Sequence, residues 1–543
     1  LVLRRVSWVS GWILAALAWG VAAEVHPPRA ARAERLELRR QSLELPGAPA
    51  SLVSTDLDGD GRRDLVIVVV YREWGEIGED RFEDMMEIVE VVPALFDRRE
   101  IHAYLAGPDG RLRMAGPPLP IDRSVLSVEA GPPGIPAIAL TDAGVSKLSL
   151  SEGEGPALVL EPLLEEPPVM AGSETYLPKL SLVHDIDGDG LTDLLFPARD
   201  AIAIHRGTGD GLATSTTSRL VMPGFKNYWG MIGTVSYPLP TIQDVDGDGL
   251  PDLVVQNSDG RSIHVMPGEG GGEFAEPAEL VVPETKRDEN SKESGAELAH
   301  FGDVDGSGTV EIVTLAEVDT GKSDIKEAKK PKFRYRFYRV SEELAVEETP
   351  YQTVDVEGYP FGAGDWPEIT EAVFRDLDRD GREDVVTVTL RFSVLQVVKI
   401  LATKKVGVGV DFHIYRQGED GKFREVSGLD LREKLKIDLN DFKLNRFAQF
   451  AGDFDGDGLS DFVRMGGSRT FTIHRGEPGC RYSKKADLTI ELEEEPLDLA
   501  LVQIRDIDGD DRADLLLSYP VPPEESELVA PVRLELYFSG AAE

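Results

Sequence analysis

The sequence predicts an all-β fold, a ring of eight four-stranded blades, and three observations predict it. A nine-residue acidic phrase occurs seven times. Each copy lies between two short apolar runs of strand character. One interval between copies is twice the usual length and holds an eighth unit without its acids. A period of this size, built from short β runs and Gly/Pro turns, describes a propeller blade. Seven blades is the alternative count.

The phrases are DLDGDGRRD from Asp56, DIDGDGLTD from Asp185, DVDGDGLPD from Asp244, DVDGSGTVE from Asp303, DLDRDGRED from Asp376, DFDGDGLSD from Asp453 and DIDGDDRAD from Asp506. Their first aspartates are 129, 59, 59, 73, 77 and 53 residues apart. Inside the long interval, Ser124 to Thr141 reads SVLSVEAGPPGIPAIALT, beside SLVSTDLDGDGRRDLVIVVV at Ser51 to Val70. The flanking strands survive there and Gly and Pro replace the acids. The units fall near residues 50–120, 121–165, 176–223, 239–283, 297–355, 369–428, 447–492 and 499–543.

Each unit has one grammar. A short apolar strand precedes the phrase, as at Leu180 to Val183, and a second follows, as at Leu194 to Ala198. A third often carries His or an aromatic residue, as in IHRG from Ile204 and from Ile473. A Gly/Asp turn such as GEDG at Gly418 leads to a fourth strand, as at Ala486 to Leu492. Runs of this length between turn residues are hairpin signals. The last unit lacks a fourth strand, and RLELRRQSLELP at Arg35 to Pro46 is an orphan one. We expect it to close the last blade, because an open ring leaves sheet edges exposed.

Insertions separate two faces. Arg72–Arg99 (partly helical in pattern), Glu317–Lys332 (charged, expected to be mobile) and Phe392–Lys405 fall between second and third strands. Gly224–Pro240, Glu284–Glu297 and Gly358–Pro367 fall between units. In an up-and-down blade these two loop classes share one face, and the acidic phrases lie on the other.

The phrase suits a hard cation. Ca²⁺ takes six to eight oxygens, and carboxylates at positions one, three, five and nine with the carbonyl of position seven can wrap one ion. The candidate ligands are Asp56, Asp58, Asp60, Arg62 and Asp64; Asp185, Asp187, Asp189, Leu191 and Asp193; Asp244, Asp246, Asp248, Leu250 and Asp252. The later copies offer Asp303, Asp305, Ser307, Thr309 and Glu311; Asp376, Asp378, Asp380, Arg382 and Asp384; Asp453, Asp455, Asp457, Leu459 and Asp461; Asp506, Asp508, Asp510, Arg512 and Asp514. Gly at position six gives the positive φ that turns the loop inward. Position twelve is apolar (Ile67, Phe196), where an EF-hand needs its bidentate Glu. Up to seven structural calcium ions are expected, more weakly held where Ser307 stands at position five. Asp511 replaces the position-six Gly, and Arg379 lies beside the ion site.

Composition sets outer bounds. The chain has 543 residues, 41% apolar, and a formal net charge of −40. That charge opposes nucleic acid, whose phosphates demand Lys and Arg, and opposes an anionic membrane surface. The single cysteine, Cys480, can form neither a disulfide framework nor a Cys/His zinc site, and reads as a small side chain in a turn. Residues 1–23, with Arg4, Arg5, an apolar run and Val21-Ala22-Ala23, read as a signal peptide, and 24–34 as a linker. The expected product is exported to the periplasm, cell surface or exterior, is not inserted in a membrane after cleavage, and is monomeric.

At these phrases the chain resembles the FG-GAP/VCBS repeats of integrin α-subunit propellers and their bacterial relatives. Phe301-Gly302-Asp303 and Ala451-Gly452-Asp453 match the approach to that repeat. The resemblance covers about residues 35–543 as one propeller. Integrin propellers have seven blades, and some bacterial polysaccharide lyases with similar calcium loops have eight. The resemblance implies structural calcium and a ligand met on the opposite face.

Two functions are open: a non-catalytic binding or scaffold module for a protein or glycan, and a lyase-like enzyme acting on polysaccharide. No nucleophile elbow, zincin or P-loop phrase occurs. His102, His205, His264, His413 and His474 recur at similar strand positions, as a repeated packing position would. These features favour the binder. Its candidate ligand contacts are Tyr228, Trp229 and Tyr237 on one insert and Tyr359, Phe361 and Trp366 on another; the competing reading is that they cover blade junctions.

Overall fold

The computed structural model describes residues 36–71, 98–151, 156–169, 180–199, 201–209, 211–213, 216, 218–221, 225–229, 232–236, 239–256, 262–283, 293–361, 374–393, 405–438, 443–444, 448–465, 469–494, 502–520 and 531–541. The signal-peptide and linker segments lie outside these residues, as does most of the insert after the second strand of blade 1.

Eight antiparallel sheets follow one another along the chain as the blades of a propeller. Blade 1 contains Ala48–Thr55, Asp64–Tyr71 and Arg98–Ala106, with Leu112–Met114 and Leu119–Ile121 both paired to the third strand. Blade 2 contains Val125–Ala130, Ala137–Thr141, Gly144–Leu150 and Leu158–Leu164. Blade 3 contains Val183–His184, Asp193–Pro197, Ile202–His205 and Ser218–Leu220. Blade 4 contains Thr241–Gln243, Asp252–Gln256, Ser262–Met266 and Ala278–Val281. Blade 5 contains Glu297–Gly302, Glu311–Val318, Lys332–Arg339 and Gln352–Glu357.

Blade 6 has a split first strand, Tyr359–Pro360 and Phe374–Arg375, followed by Asp384–Arg391, Lys405–Gln417 and Arg432–Asp438. Blade 7 contains Ala448–Gly452, Asp461–Met465, Thr470–His474 and Leu488–Glu491. In blade 8, Val502–Arg505, Asp514–Pro520 and Val532–Ala541 are joined by Leu36–Leu45 from the other end of the chain. Leu36 pairs Ala541 and Leu45 pairs Val532, in one unbroken register. The orphan strand therefore closes the ring.

The core is a set of eight apolar clusters, one at each junction between neighbouring blades. Second strands are buried on both faces, so they read as continuous apolar runs rather than alternating ones. The period of two still decides which neighbour each side chain meets. Leu194 and Phe196 of blade 3 face blade 2, while Leu195 between them faces blade 4. The junction of blades 8 and 1 has the same construction, with Leu43, Leu534 and Leu536 against Leu65 and Ile67.

Two inserts carry regular structure of their own among the described residues. Phe225–Trp229 pairs with Ile232–Ser236 as a hairpin before blade 4. The charged 317–332 segment, expected to be mobile, contains a short helix, Asp324–Lys329. Tyr359 holds it by donating its hydroxyl to the Ala328 carbonyl at 3.1 Å.

Candidate metal centres

Each acidic phrase joins the first and second strands of a blade, and its ninth residue opens the second strand. The loop is shaped by its own carboxylates. Asp56 accepts backbone N–H groups from Gly59 at 2.8 Å and Gly61 at 2.9 Å, one on each oxygen. Asp185, Asp244 and Asp453 repeat this. Position three accepts the N–H of position five, and position five that of position seven, as in Asp187 with Asp189 and Asp189 with Leu191. These short Asx-type bonds turn successive carboxylates toward one point.

Position six is left-handed, as the sequence required. Position four is left-handed too, which the sequence reading missed: Gly59, Gly188, Gly247, Gly306, Gly456 and Gly509 have φ between 69° and 82°. Arg379 at position four and Asp511 at position six take positive φ without being glycine, at 54° and 64°.

Position two is an anchor. Leu57, Ile186, Val245, Val304, Leu377, Phe454 and Ile507 are all buried. Each enters the cluster shared with the following blade: Ile186 lies with Leu253 and Val255 of blade 4, and Phe454 with Ile504 and Leu515 of blade 8. Order at the loop is thereby tied to packing at the junction.

Position nine is the second anchor. Asp64, Asp193, Asp252, Glu311, Asp384, Asp461 and Asp514 are buried. One oxygen accepts the N–H of position two, as in Ile186 to Asp193 at 2.9 Å. Except in Glu311, the other accepts an N–H just beyond or at the end of the third strand, from Ala106, Gly207, Gly268, Gln417, Gly476 and Ser539 respectively. Burial, reinforced by the nearby acids of the same loop, pushes Glu311 and Asp461 up to about 8. Burial likewise pushes Asp384 and Asp514 to about 7 and Asp252 to about 6.

In several loops three carboxylates offer one oxygen each within 4.8 Å: Asp56, Asp58 and Asp64; Asp185, Asp187 and Asp193; Asp244, Asp246 and Asp248; Asp303, Asp305 and Glu311. Buried oxygens remain without a hydrogen-bond partner at Glu311 (Oε1), Asp378 (Oδ1) and Asp508 (Oδ1). Unpaired buried carboxylate oxygens are costly, and a hard divalent cation at the point of convergence would satisfy them. The residues present fit such an ion.

Arginines also reach these loops, a signal the sequence carried without its being read. Arg206, Arg339, Arg416 and Arg475, at or just past the ends of third strands, meet the position-three aspartates Asp187, Asp305, Asp378 and Asp455. Blade 6 is the most heavily compensated. Arg416 contacts Asp378 at 2.5 Å and Asp380 at 2.6 Å, and Arg382 also pairs with Asp380 at 2.6 Å. Cys480 of blade 7, buried with φ 55°, donates its thiol to Asp384 at 3.1 Å.

Successive loops touch head to tail. A Cβ added to Gly306 of blade 5 would collide with the Gly381 carbonyl of blade 6. One on Gly456 would lie 3.2 Å from Arg512 Nε of blade 8, and one on Gly509 2.6 Å from Arg63 Nε of blade 1. At Gly306 the glycine therefore answers to this approach as well as to its conformation, while at Gly59, where nothing lies within 4 Å of an added Cβ, the conformation alone accounts for it. In blade 2 the replacement loop buries Ile135 among Leu126, Leu140 and Leu194, so an apolar plug stands where acids stand elsewhere.

The aromatic candidates are only partly among the described residues. Tyr228 and Trp229 lie on the hairpin strand Phe225–Trp229, while Tyr237 and Trp366 lie outside the described residues. Phe361 packs edge-on against Phe412 at 5.2 Å, and Tyr359 lies 6.3 Å from Phe333. His205 and His474 are buried at corresponding third-strand positions, opposite Leu194 and Phe462, and His102, opposite Ile67, is buried two residues earlier on its strand; burial lowers the basicity of all three.

A profile of the FG-GAP-like repeat matches residues 244–314, from the acidic phrase of blade 4 into the second strand of blade 5. No curated protein matches the chain. Among solved structures, the chain is similar to an Agrocybe aegerita lectin described for specific recognition of non-reducing terminal N-acetylglucosamine. That pair shares 13% identity, covers 65% of this chain and 76% of the lectin, and has a TM-score of 0.31. The periplasmic gluconolactonase of Pseudomonas aeruginosa shares 10% identity over 71% of this chain and 88% of its own, with a TM-score of 0.29. An engineered GH43 glycoside hydrolase shares 8% identity over 92% of this chain and 100% of its own, with a TM-score of 0.22.

Proposed function

We propose that this FG-GAP-repeat propeller of eight blades is an exported, calcium-stabilised binding or scaffold module. It meets a protein or glycan partner on the face opposite its acidic loops. The observation that carries the calcium assignment is the tie between loop and junction. In each of the seven loops the first and ninth residues hold the backbone by hydrogen bonds, while the second is buried against the next blade. An ion at the loop would act on the packing of two blades together.

The magnitude is adequate. At a Kd of about 0.1–1 mM and millimolar calcium, each ion stabilises by about 0.4–1.4 kcal/mol. Seven would contribute roughly 3–10 kcal/mol, on the scale of a domain's whole margin. The net charge of −40 supports the same reading, since bound divalent cations relieve self-repulsion. Residues 1–23 support export, which places the protein where calcium is plentiful.

The non-catalytic reading rests on the histidines. His205 and His474 occupy equivalent buried positions in blades 3 and 7, and His102 is buried two residues earlier on the third strand of blade 1, so the three lie on separate blades as packing residues. The test incubates the protein with acidic polysaccharides in calcium and follows the absorbance of unsaturated ends, beside a calcium-dependent pulldown and a glycan array. The binder reading expects capture without turnover. Growth of absorbance would replace it with a lyase.

A further inference from the structure

We propose that a basic groove at the junction of blades 5 and 6 binds an acidic polysaccharide, one bearing uronate or sulfate groups. The proposal rests on the binder reading above and names the ligand class. The groove is a shallow, open depression of about 600 Å³ lined by Lys322, Lys326, Lys329, Lys330, Arg391 and Phe392, with Leu390 and Ser393. Acidic residues outnumber basic ones 98 to 58 in the chain, yet among the described residues this lining holds five cations, of which only Lys330 and Arg391 are paired with neighbouring acids, Glu357 and Asp411. Lys322 to Lys330 belong to the connection between second and third strands of blade 5; Arg391 ends the second strand of blade 6, and Phe392 and Ser393 follow it. Both positions are on the face opposite the acidic loops.

The groove is built rather than incidental. Lys330 is fixed by Glu357 at 2.7 Å and Arg391 by Asp411 at 2.8 Å. Lys329 lies over the Phe392 ring at 5.1 Å. Tyr359 ties the lysine-bearing helix down through the Ala328 carbonyl.

Its chemistry selects the ligand. The lining side chains offer many donors and a single hydroxyl, and the carboxylates at the groove's edge, Glu357 and Asp411, are already taken by Lys330 and Arg391. A peptide brings backbone N–H groups that would go unsatisfied there. A saccharide brings hydroxyl and carboxylate or sulfate oxygens that accept from Lys and Arg, and an apolar ring face suited to Leu390 and Phe392. Although the chain carries a net charge of −40, screening within about 8 Å at physiological salt leaves the local cations in control at the groove.

The test measures binding of a chondroitin sulfate hexasaccharide, an oligogalacturonate and a neutral dextran of equal length to the full chain in calcium. The variant carries Lys322→Glu, Lys326→Glu and Lys329→Glu, and a second variant the same positions as Gln. The expected result is binding of an acidic oligosaccharide alone, at least tenfold weaker in the Glu variant, with a shallower salt dependence and unchanged thermal midpoints. Undiminished binding in both variants would overturn the groove assignment while leaving the binder reading intact. No binding of either acidic oligosaccharide, or equal competition by a single-stranded oligonucleotide, would overturn the ligand class. Capture of a protein partner in calcium would then keep the scaffold role.

Discussion

Arg40 and Glu535 stand 495 positions apart in sequence and are joined by two hydrogen bonds, 2.6 and 2.9 Å, across the strand pair that closes the ring. Glu535 is buried and is also met by Ser42 and Arg533. Arg40→Ala leaves that carboxylate short of its main partner, and should cost about 2–3 kcal/mol. Denaturant unfolding of the variant checks this, and an unchanged midpoint would contradict it.

Phe454 links an acidic loop to the junction of blades 7 and 8, where it is fully buried beside Ile504 and Leu515. Phe454→Ala should destabilise by about 3–5 kcal/mol. It should also weaken calcium binding at that loop, because the anchor of Asp453 and Asp455 is lost. Calorimetric titration that finds all sites unaltered would separate the plug from the ion.

Asp511 pays strain at φ 64° in an exposed turn. Asp511→Gly should stabilise the fold by about 0.5–1 kcal/mol. Gly190→Ala, at φ 84° in the equivalent position of blade 3, should cost about 1–2 kcal/mol. Thermal midpoints of the two variants should move in opposite directions.

The buried position-nine acids set a pH response for the calcium-free chain. Glu311 and Asp461 near 8, and Asp384 and Asp514 near 7, lie above the ordinary carboxylate range. A folded pKa above the unfolded one means that the folded state binds more protons between the two values. Stability is then lost as pH rises through the folded pKa. In chelator, lowering pH from about 8.5 to about 6.5 should raise the thermal midpoint. This window avoids the buried histidines, whose lowered values act below about 6.5. With calcium bound, protons compete with the ion and the gain should disappear.

Much of the architecture was legible because it repeats. Seven copies of one phrase and an eighth without acids set the blade count, and an unpaired strand at Leu36–Leu45 matched a blade short of one. The position-six glycines were legible because a tight inward turn demands positive φ. Position four was not: at Gly306 the glycine answers partly to the Gly381 carbonyl of the next blade's loop, an approach that exists only in the assembled ring. The apolar residue at position two looked incidental between two aspartates until Ile186 and Phe454 were placed in neighbouring junctions. Arg339 and Arg416 come from third strands, too distant along the chain to be read as partners of Asp305 and Asp378. The lysines of 322–330 read as part of a charged, mobile insert, because nothing local says that Leu390 to Ser393 lie beside them.

The central claim is that calcium at the acidic loops holds neighbouring blades together, and its most direct test is the thermal unfolding midpoint of the full chain in millimolar calcium and in excess chelator. With up to seven sites, the chelated protein should melt about 3–10 °C lower, and readdition of calcium should restore it. A midpoint that chelator leaves unmoved would contradict the account.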